Sequence, residues 1–271
     1  MKYVFFGSPR FAEIILKHLI DAGMPPIVLV CNPDRPFGRK QIITPPPTKT
    51  LVVTQAKEVA VLQPENLTGI AGTLRAVGAD FFVVAAYAKI IPESILEIPR
   101  VGTLGTHPSL LPKYRGASPI QSVILNGETE TGVTIYQMDA DMDHGPIIAA
   151  ESCAVGTNEP YPALEQKLAD LSAKLLIQSM PLFATGHATP QAQNETQASY
   201  TKKFKTEDAF VDEADLTAAE SGNAEKSLQI LRKINAFNLE PGAWTMRNGQ
   251  RVKMLAATIE SDRLKLLETR Q

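Results

Sequence analysis

The amino-acid sequence predicts an α/β protein with a mostly parallel sheet, followed by a smaller module of a helix and β-strands. Two observations predict this fold class. Short apolar runs alternate with amphipathic helical stretches as far as residue 183, and the chain then turns polar before a hairpin signal appears. Strands that alternate with helices are joined by right-handed crossovers, which produce a parallel sheet covered on both faces.

The elements of the first region follow from the spacing of the apolar residues. The run 2–6 ends at a Gly-Ser-Pro turn, and the next stretch places Phe11, Ile14, Ile15 and Leu19 on one helical face. The same reasoning predicts strands at 2–6, 27–31, 80–86, 102–106 and 133–138 and helices at 10–22, 69–77 and 160–183.

The second region begins where the large aliphatic residues become rare. Residues 187–206 are polar and are interpreted as a linker between an N-terminal domain, 1–186, and a C-terminal domain, 207–271. The C-terminal domain is predicted to contain a helix at 225–237 and strands at 244–246, 251–255 and 265–269. Asn248-Gly249 is the strong turn signal that joins the first two strands.

Composition narrows the class of protein. Apolar residues make up 44% and charged residues 21%, which excludes a disordered or fibrous chain. No apolar run is long enough for a membrane span, the N-terminal run is too short for a secretory signal, and two cysteines cannot form a disulfide framework. We therefore expect a cytoplasmic protein without a membrane partner or a metal.

Charge is unevenly distributed along the chain. The net charge is −2, yet residues 225–271 carry nine bases and five acids, a local charge of +4. This segment is interpreted either as a surface that contacts phosphates or as a solvated surface of mixed charge.

Sequence motifs exclude several reactions and leave one candidate pair. The chain contains no GxGxxG, GxxxxGK[ST], GxSxG, HExxH or CxxC motif. His107 follows the predicted strand 102–106, and Asp143 belongs to the acidic cluster that follows strand 133–138. Since ligands bind at the carboxyl ends of strands in open α/β sheets, these residues are either an acid–base pair or ordinary loop residues.

Longer motifs resemble one family along most of the chain. GTHPSLLPKYRGASPIQ at 105–121 and TGVTIYQMDADMDHGPII at 131–148 resemble the formyltransferase family that uses 10-formyltetrahydrofolate. FGSPRFA at 6–12, NPDRPFGRK at 32–40, AAYAKIIP at 85–92 and NAFNLEPGAW at 235–244 are similar to motifs of the members that act on methionyl-tRNA. The resemblance runs from residue 2 to about 258 and implies a Rossmann-like domain followed by an OB-like β domain. The second domain is short for a complete barrel, so it is either reduced or truncated.

The resemblance also implies a catalytic site. The family uses an Asn, a His two residues later and a downstream Asp; His107 and Asp143 match the last two, whereas Gly105 stands at the Asn position. Three interpretations follow: another donor substitutes for the amide, or the enzyme is slow, or the chain is a non-catalytic relative that binds folate or RNA. The substitute donors considered are a water molecule, a backbone N–H and the hydroxyls of Thr103, Thr106 and Ser109. If another group substitutes, Gly105→Asn is expected to leave the rate unchanged or to raise it.

The implied folate-binding residues lie in three segments. Most of the contacts are expected to come from backbone groups, and Ala88 stands where the family usually has glycine. The residues are Ala86, Tyr87, Ala88, Lys89, Ile90, Ser109, Leu110, Leu111, Pro112, Asp139, Ala140 and Asp141.

The implied acceptor is the amino group of methionyl initiator tRNA, bound by a monomer. A Pro-rich loop carries four basic residues that would contact its phosphates, Arg35, Arg39, Lys40 and Lys49. A solvated surface loop and a sugar-nucleotide acceptor are the alternatives.

Overall fold

A computed structural model describes residues 1–38, 40–238 and 240–270. The chain forms two compact units. The first comprises residues 1–115, 132–152 and 166–199, and the second comprises residues 116–131, 153–165 and those from Tyr200 onward. These units interleave along the chain, whereas the predicted domains 1–186 and 207–271 follow each other in sequence; that boundary stays a prediction.

The bounds of the strands and helices are as follows. The strands are β1 (Tyr3–Phe6), β2 (Val28–Val30), β3 (Arg35–Phe37), β4 (Ile42–Thr44), β5 (Ala60–Leu62), β6 (Phe81–Ala85), β7 (Gly102–His107), β8 (Arg115–Gly116), β9 (Glu130–Gln137), β10 (Ile147–Ala154), β11 (Tyr200–Thr201), β12 (Ala243–Arg247), β13 (Gln250–Glu260) and β14 (Arg263–Arg270). The α-helices are α1 (Arg10–Asp21), α2 (Pro47–Gln55), α3 (Ala71–Val77), α4 (Glu93–Leu96), α5 (Pro119–Asn126), α6 (Tyr161–Ala184), α7 (Glu213–Glu220) and α8 (Ala224–Ala236).

The main sheet has the strand order β10-β9-β7-β6-β1-β2-β5. The pairs from β7 through β6, β1 and β2 to β5 are parallel, and β9 runs antiparallel to β7. The predicted mostly parallel sheet is therefore confirmed, and the carboxyl ends of β1, β2, β6 and β7 lie at one edge. The elements that were not predicted are strands β3, β4, β5, β8, β10 and β11 and helices α2, α4, α5 and α7.

The core of the first unit explains why the sheet forms. Its central strand β1 is buried at every position, and alternate residues of β1, β2 and β6 pack into one apolar cluster. Complete burial of one such side chain stabilises the fold by about 1.5–3 kcal/mol. The residues at the core of this cluster are Val4, Phe6, Val28, Val30, Leu67, Leu74, Phe82, Tyr87 and Ile95.

The second unit contains an antiparallel sheet in the order β12-β13-β14 together with α7 and α8. Asn248 and Gly249 both have positive φ, 50° and 72°, between β12 and β13. This is the backbone conformation of a type I′ hairpin turn, as the Asn-Gly pair predicted. The sheet and helices share an apolar core that includes Leu216, Ile234 and Met254.

Within the described residues, no helix is both long enough and apolar enough to cross a membrane.

Candidate active site

His107 is the last residue of β7, at the carboxyl edge of the sheet, and its side chain is buried. Its Nε2 atom lies 2.8 Å from the carbonyl oxygen of Tyr114. A carbonyl oxygen can only accept a hydrogen bond, so Nε2 carries a proton and donates it. The other ring nitrogen, Nδ1, faces the carboxylate of Asp143, with 3.6 Å between Nδ1 and Oδ2.

Asp143 reaches His107 by a route that the sequence did not predict. Because β9 is antiparallel to β7, its carboxyl end lies beside Leu104 and not beside His107. The chain then turns back: the N–H of Gln137 donates to the carbonyl of Pro146 (2.9 Å). Asp143 sits within this turn in the left-handed region, at φ +52°. The two predicted residues therefore meet over the face of the sheet.

Two hydrogen bonds hold Asp143 in this position. The hydroxyl of Tyr136 donates to Oδ1 of Asp143 at 2.7 Å, and Nε2 of Gln193 donates to the main-chain carbonyl of Asp143 at 2.9 Å. Burial, together with the neighbouring carboxylate of Asp143, raises the pKa of Tyr136 well above 10. Its hydroxyl therefore stays protonated and acts as a donor.

Gly105 lies directly opposite Tyr136 in the β7–β9 register. A Cβ atom at Gly105 would lie 2.5 Å from Cε1 and 2.8 Å from the hydroxyl oxygen of Tyr136. The phenol ring therefore occupies the space that a side chain at Gly105 would need, and contacts below 3.0 Å would force the ring to shift. The sequence predicted an unchanged or faster rate for Gly105→Asn; this steric conflict predicts a loss instead.

The three hydroxyl groups considered as substitutes for the Asn amide have other partners or point elsewhere. The hydroxyl of Thr103 donates to the carbonyl of Leu96 (3.0 Å), and that of Ser109 donates to the carbonyl of Lys113 (2.6 Å). The Thr106 hydroxyl is buried and has no hydrogen-bond partner among the described residues. Since side chains alternate along a strand, Thr106 faces the side of the sheet opposite to Gly105 and His107.

A buried arginine ties the residues after α6 to this site. Arg115 is 1% exposed, and its guanidinium donates to Glu195 (2.6 Å) and to the side-chain oxygen of Gln193 (2.7 Å). Hydrogen bonds from Arg115 hold the pKa of Glu195 below its usual value. Gln193 in turn donates to the carbonyls of Asp143 and Gly145. The segment interpreted as a surface linker therefore supports the loop that carries Asp143.

The first predicted folate segment follows β6 directly. Ala86 and Ala88 have φ values of +46° and +63°, in the left-handed region that favours glycine. Lys89 donates to the carbonyls of Pro64 and Glu65, and Ile90 is 93% exposed. Alanine at position 88 therefore adopts a strained backbone conformation.

The other predicted folate segments flank His107 and Asp143. In the segment 109–112, the hydroxyl of Thr134 accepts a hydrogen bond from the N–H of Leu111 (3.0 Å) and donates one to the carbonyl of Ser109 (2.8 Å). In the segment 139–141, the side chain of Asp139 accepts a hydrogen bond from the N–H of Asp141 (3.1 Å), and Ala140 and Asp141 are exposed. His144 Nδ1 lies 2.6 Å from Asp139, and this hydrogen bond raises the pKa of His144. Leu110 and Pro112 are half-buried.

Two buried polar atoms at the same edge of the sheet have no hydrogen-bond partner within the described ranges. They are the side-chain oxygen of Asn32, which follows β2, and the hydroxyl of Tyr87, which follows β6. Buried polar groups are normally paired, so these two atoms have unused hydrogen-bonding capacity.

The predicted tRNA contacts fall into three groups. Arg35 is exposed on the β3–β4 hairpin, 3.8 Å from Glu65, and Lys40 is exposed at the turn. Lys49 donates to both carboxylate oxygens of Asp34 at 2.7–2.9 Å and to Gln63, so it stabilises the base of the loop. Arg39 lies outside the described residues.

Comparison with known proteins gives consistent matches. The model of the family "Formyl transferase" matches residues 1–180, and "Formyl transferase, C-terminal domain" matches residues 224–266. The methionyl-tRNA formyltransferase of Thermotoga maritima is 40% identical over 260 residues, which cover 95% of this chain and 79% of that protein.

Solved structures show the same fold at lower identity. The methionyl-tRNA formyltransferase from Clostridium thermocellum has a TM-score of 0.63 at 17% identity and covers 100% of this chain and 98% of its own. HypX from Aquifex aeolicus, in complex with tetrahydrofolic acid, has a TM-score of 0.67 at 18% identity. That match covers 96% of this chain and 38% of HypX, so this chain spans less than half of that protein.

Proposed function

The chain belongs to the formyl transferase family, and from this premise we propose that it transfers a formyl group from 10-formyltetrahydrofolate to the amino group of methionyl initiator tRNA. The observation that carries the proposal is the buried His107–Asp143 pair in a chain 40% identical to the methionyl-tRNA formyltransferase of Thermotoga maritima. The reaction would take place in the cytoplasm, in preparation for translation initiation.

The chemistry requires one proton to be moved and one charge to be stabilised. The amine nitrogen attacks the formyl carbon, and negative charge develops on the formyl oxygen. The bond between that carbon and the folate nitrogen then breaks. The attacking amine loses a proton and the departing folate nitrogen gains one, so donor and product balance without a further reactant.

His107 and Asp143 are suited to these tasks. The Asp143 carboxylate faces Nδ1 of His107. A proton that the ring takes up during the reaction would place positive charge near the developing oxyanion, with the carboxylate as its counter-charge. The same pair can hold the proton that passes from the amine to the folate nitrogen. General acid–base catalysis of this kind contributes about 10²–10⁴ to a rate.

The hairpin formed by β3 and β4 supports an RNA acceptor. Arg35 and Lys40 are exposed there, beside the exposed aromatic ring of Phe37. Basic side chains contact phosphates and aromatic rings stack on bases. The hairpin would therefore contact the end of the tRNA, and the salt dependence of binding should report that contact.

Single-turnover transfer with protein in excess over tRNA tests the proposal. The wild-type chain is mixed with 10-formyltetrahydrofolate and methionyl initiator tRNA, and formylmethionine on the tRNA is quantified with time. An amino-sugar nucleotide serves as the competing acceptor, and elongator methionyl-tRNA serves as the control for RNA specificity. Product on the sugar alone, or folate binding without transfer to any amine, would overturn the proposed acceptor.

A further inference from the structure

We propose that Tyr136 is a positioning residue for formyl transfer: its ring fills the space left by Gly105, and its hydroxyl holds Asp143 toward His107. This inference rests on the proposed function, because it assigns a role within the same site. It also explains how His107 and Asp143 can keep their arrangement in a chain that has glycine at position 105.

The steric part of the argument comes from the sheet register. Gly105 on β7 pairs with Tyr136 on β9, and the Tyr136 side chain is only 3% exposed. The nearest atoms to a Cβ built at Gly105 all belong to the phenol of Tyr136, at 2.5–2.8 Å. A side chain at position 105 would thus displace the Tyr136 ring, and the two residues form one packing unit.

The polar part of the argument comes from the carboxylate of Asp143, whose two oxygens have different neighbours. Oδ1 accepts the hydroxyl proton of Tyr136 at 2.7 Å, and Oδ2 faces Nδ1 of His107 at 3.6 Å. A hydrogen bond to one oxygen fixes the rotation of the carboxylate about its Cβ–Cγ bond. Tyr136 therefore determines which oxygen His107 meets.

The hydroxyl of Tyr136 has only one proton to donate, so Tyr136 acts through the group that accepts it. That proton is donated to Asp143, and the side chain is almost completely buried. Removal of the Tyr136 hydroxyl should consequently slow the chemical step without weakening substrate binding. A hydrogen bond to a charged group typically contributes 1.5–3 kcal/mol, which corresponds to roughly a ten- to hundredfold effect on a rate.

The variant Tyr136→Phe keeps the ring and removes the hydroxyl. We expect kcat to fall about ten- to hundredfold while KM for both substrates stays within about twofold. Tyr3→Phe is the matched control, since Tyr3 is also buried and donates to the carbonyl of Met24 in the same unit. An unchanged kcat in Tyr136→Phe would overturn the positioning role.

A second set of variants tests the packing unit. Gly105→Asn alone should lose activity and lower the melting temperature. Gly105→Asn combined with Tyr136→Val approximately restores the total side-chain volume, so it should recover stability and exceed either single variant in rate. A fully active, stable Gly105→Asn protein would show that the two positions are not coupled.

A readout without turnover separates this inference from the proposed function. If the wild type transfers no formyl group, the proposed function is refuted, but the positioning role of Tyr136 is still decided by the following measurement. The ¹⁵N signals of the His107 ring are then compared between wild type, Tyr136→Phe and Tyr3→Phe. A change in the Nδ1 signal confined to Tyr136→Phe supports the positioning role, and identical spectra refute it.

Discussion

The Nε2 atom of His107 donates to the main-chain carbonyl of Tyr114 across 2.8 Å, which fixes both the tautomer and the orientation of the ring. Tyr114 itself lies in the left-handed region, at φ +61°, so its carbonyl is turned toward the imidazole by the local backbone. The consequence is that Nδ1 is directed at Asp143 and not at solvent.

Replacement of His107 by alanine tests this arrangement. We expect single-turnover formyl transfer to fall about 10²–10⁴-fold, since an acid–base group and a positive charge are both lost. His187→Ala is the matched control, because His187 is an exposed residue whose ring contacts Thr185 outside the site. Retention of the full rate by His107→Ala would rule out the proposed mechanism.

Gln193 is predicted to matter although it lies in the polar segment after α6. Its amide donates to the carbonyls of Asp143 (2.9 Å) and Gly145 (2.8 Å), which both lie in the turn between β9 and β10. Gln193→Ala removes both of these bonds and also an acceptor of the buried Arg115 guanidinium. The value of kcat should therefore fall about tenfold as Asp143 becomes less well oriented, and the melting temperature should fall as well.

Gln197→Ala is the corresponding control for Gln193→Ala. Gln197 is exposed, four residues beyond Gln193, at the end of a short 3₁₀ helix. Its replacement should leave both kcat and the melting temperature unchanged. Equal losses in the two variants would mean that the whole segment, and not the Gln193 amide, affects the rate.

Ala88→Gly should stabilise the protein. The left-handed conformation costs a non-glycine residue about 1–2 kcal/mol, and part of the gain is offset by the larger entropy of glycine in the unfolded chain. The free energy of unfolding measured with urea should rise by roughly 0.5–1 kcal/mol. Ala76→Gly, in the exposed face of α3, should lower it by about the same amount.

Arg35→Ala combined with Lys40→Ala should weaken tRNA binding and flatten its salt dependence. Each lost phosphate contact reduces the slope of log K against log salt by roughly 0.7–0.9. Lys49→Ala should mainly lower stability, because Lys49 is paired with Asp34. If the double variant shows the wild-type slope, the hairpin does not contact phosphates.

Much of the sheet could be predicted from the sequence because β1, β2 and β6 are apolar at nearly every position and are followed by turn residues. The strands β1, β2, β6 and β7 all coincide with predicted runs. The short strands β3 and β4 were missed because every residue in them is exposed, so no buried face generates a periodic pattern.

The site was less predictable because it depends on register and chain direction. The sequence indicated that His107 and Asp143 meet at strand ends, yet β9 is antiparallel and Asp143 returns through a turn. Tyr136 was missed for the same reason: only the pairing with Gly105 reveals that its ring fills the vacant space. Gln193 is distant in sequence and carries no local signal.

The pairing of His144 with Asp139 predicts a pH-dependent change in the same turn. The hydrogen bond that Nδ1 of His144 donates to Asp139, together with the negative charges of Asp139 and Glu195, raises the pKa of His144 above its usual value. A raised folded-state pKa means that the pair stabilises the turn fully below about pH 6.5, the ordinary value for histidine. The stabilisation is lost as the pH rises through the higher folded-state value.

An NMR titration of the His144 ring measures this effect. The wild-type midpoint should lie above about 6.5, and Asp139→Asn should lower it because the partner charge is removed. Asp141→Asn is the control, since Asp141 is exposed in the same turn and its N–H bonds to Asp139. A wild-type midpoint at the ordinary value, or one that Asp139→Asn leaves unchanged, would mean that the ion pair does not form in solution. Formation of the pair at low pH would order the chain between Asp139 and Gly145, so folate affinity should decrease in parallel as His144 loses its proton.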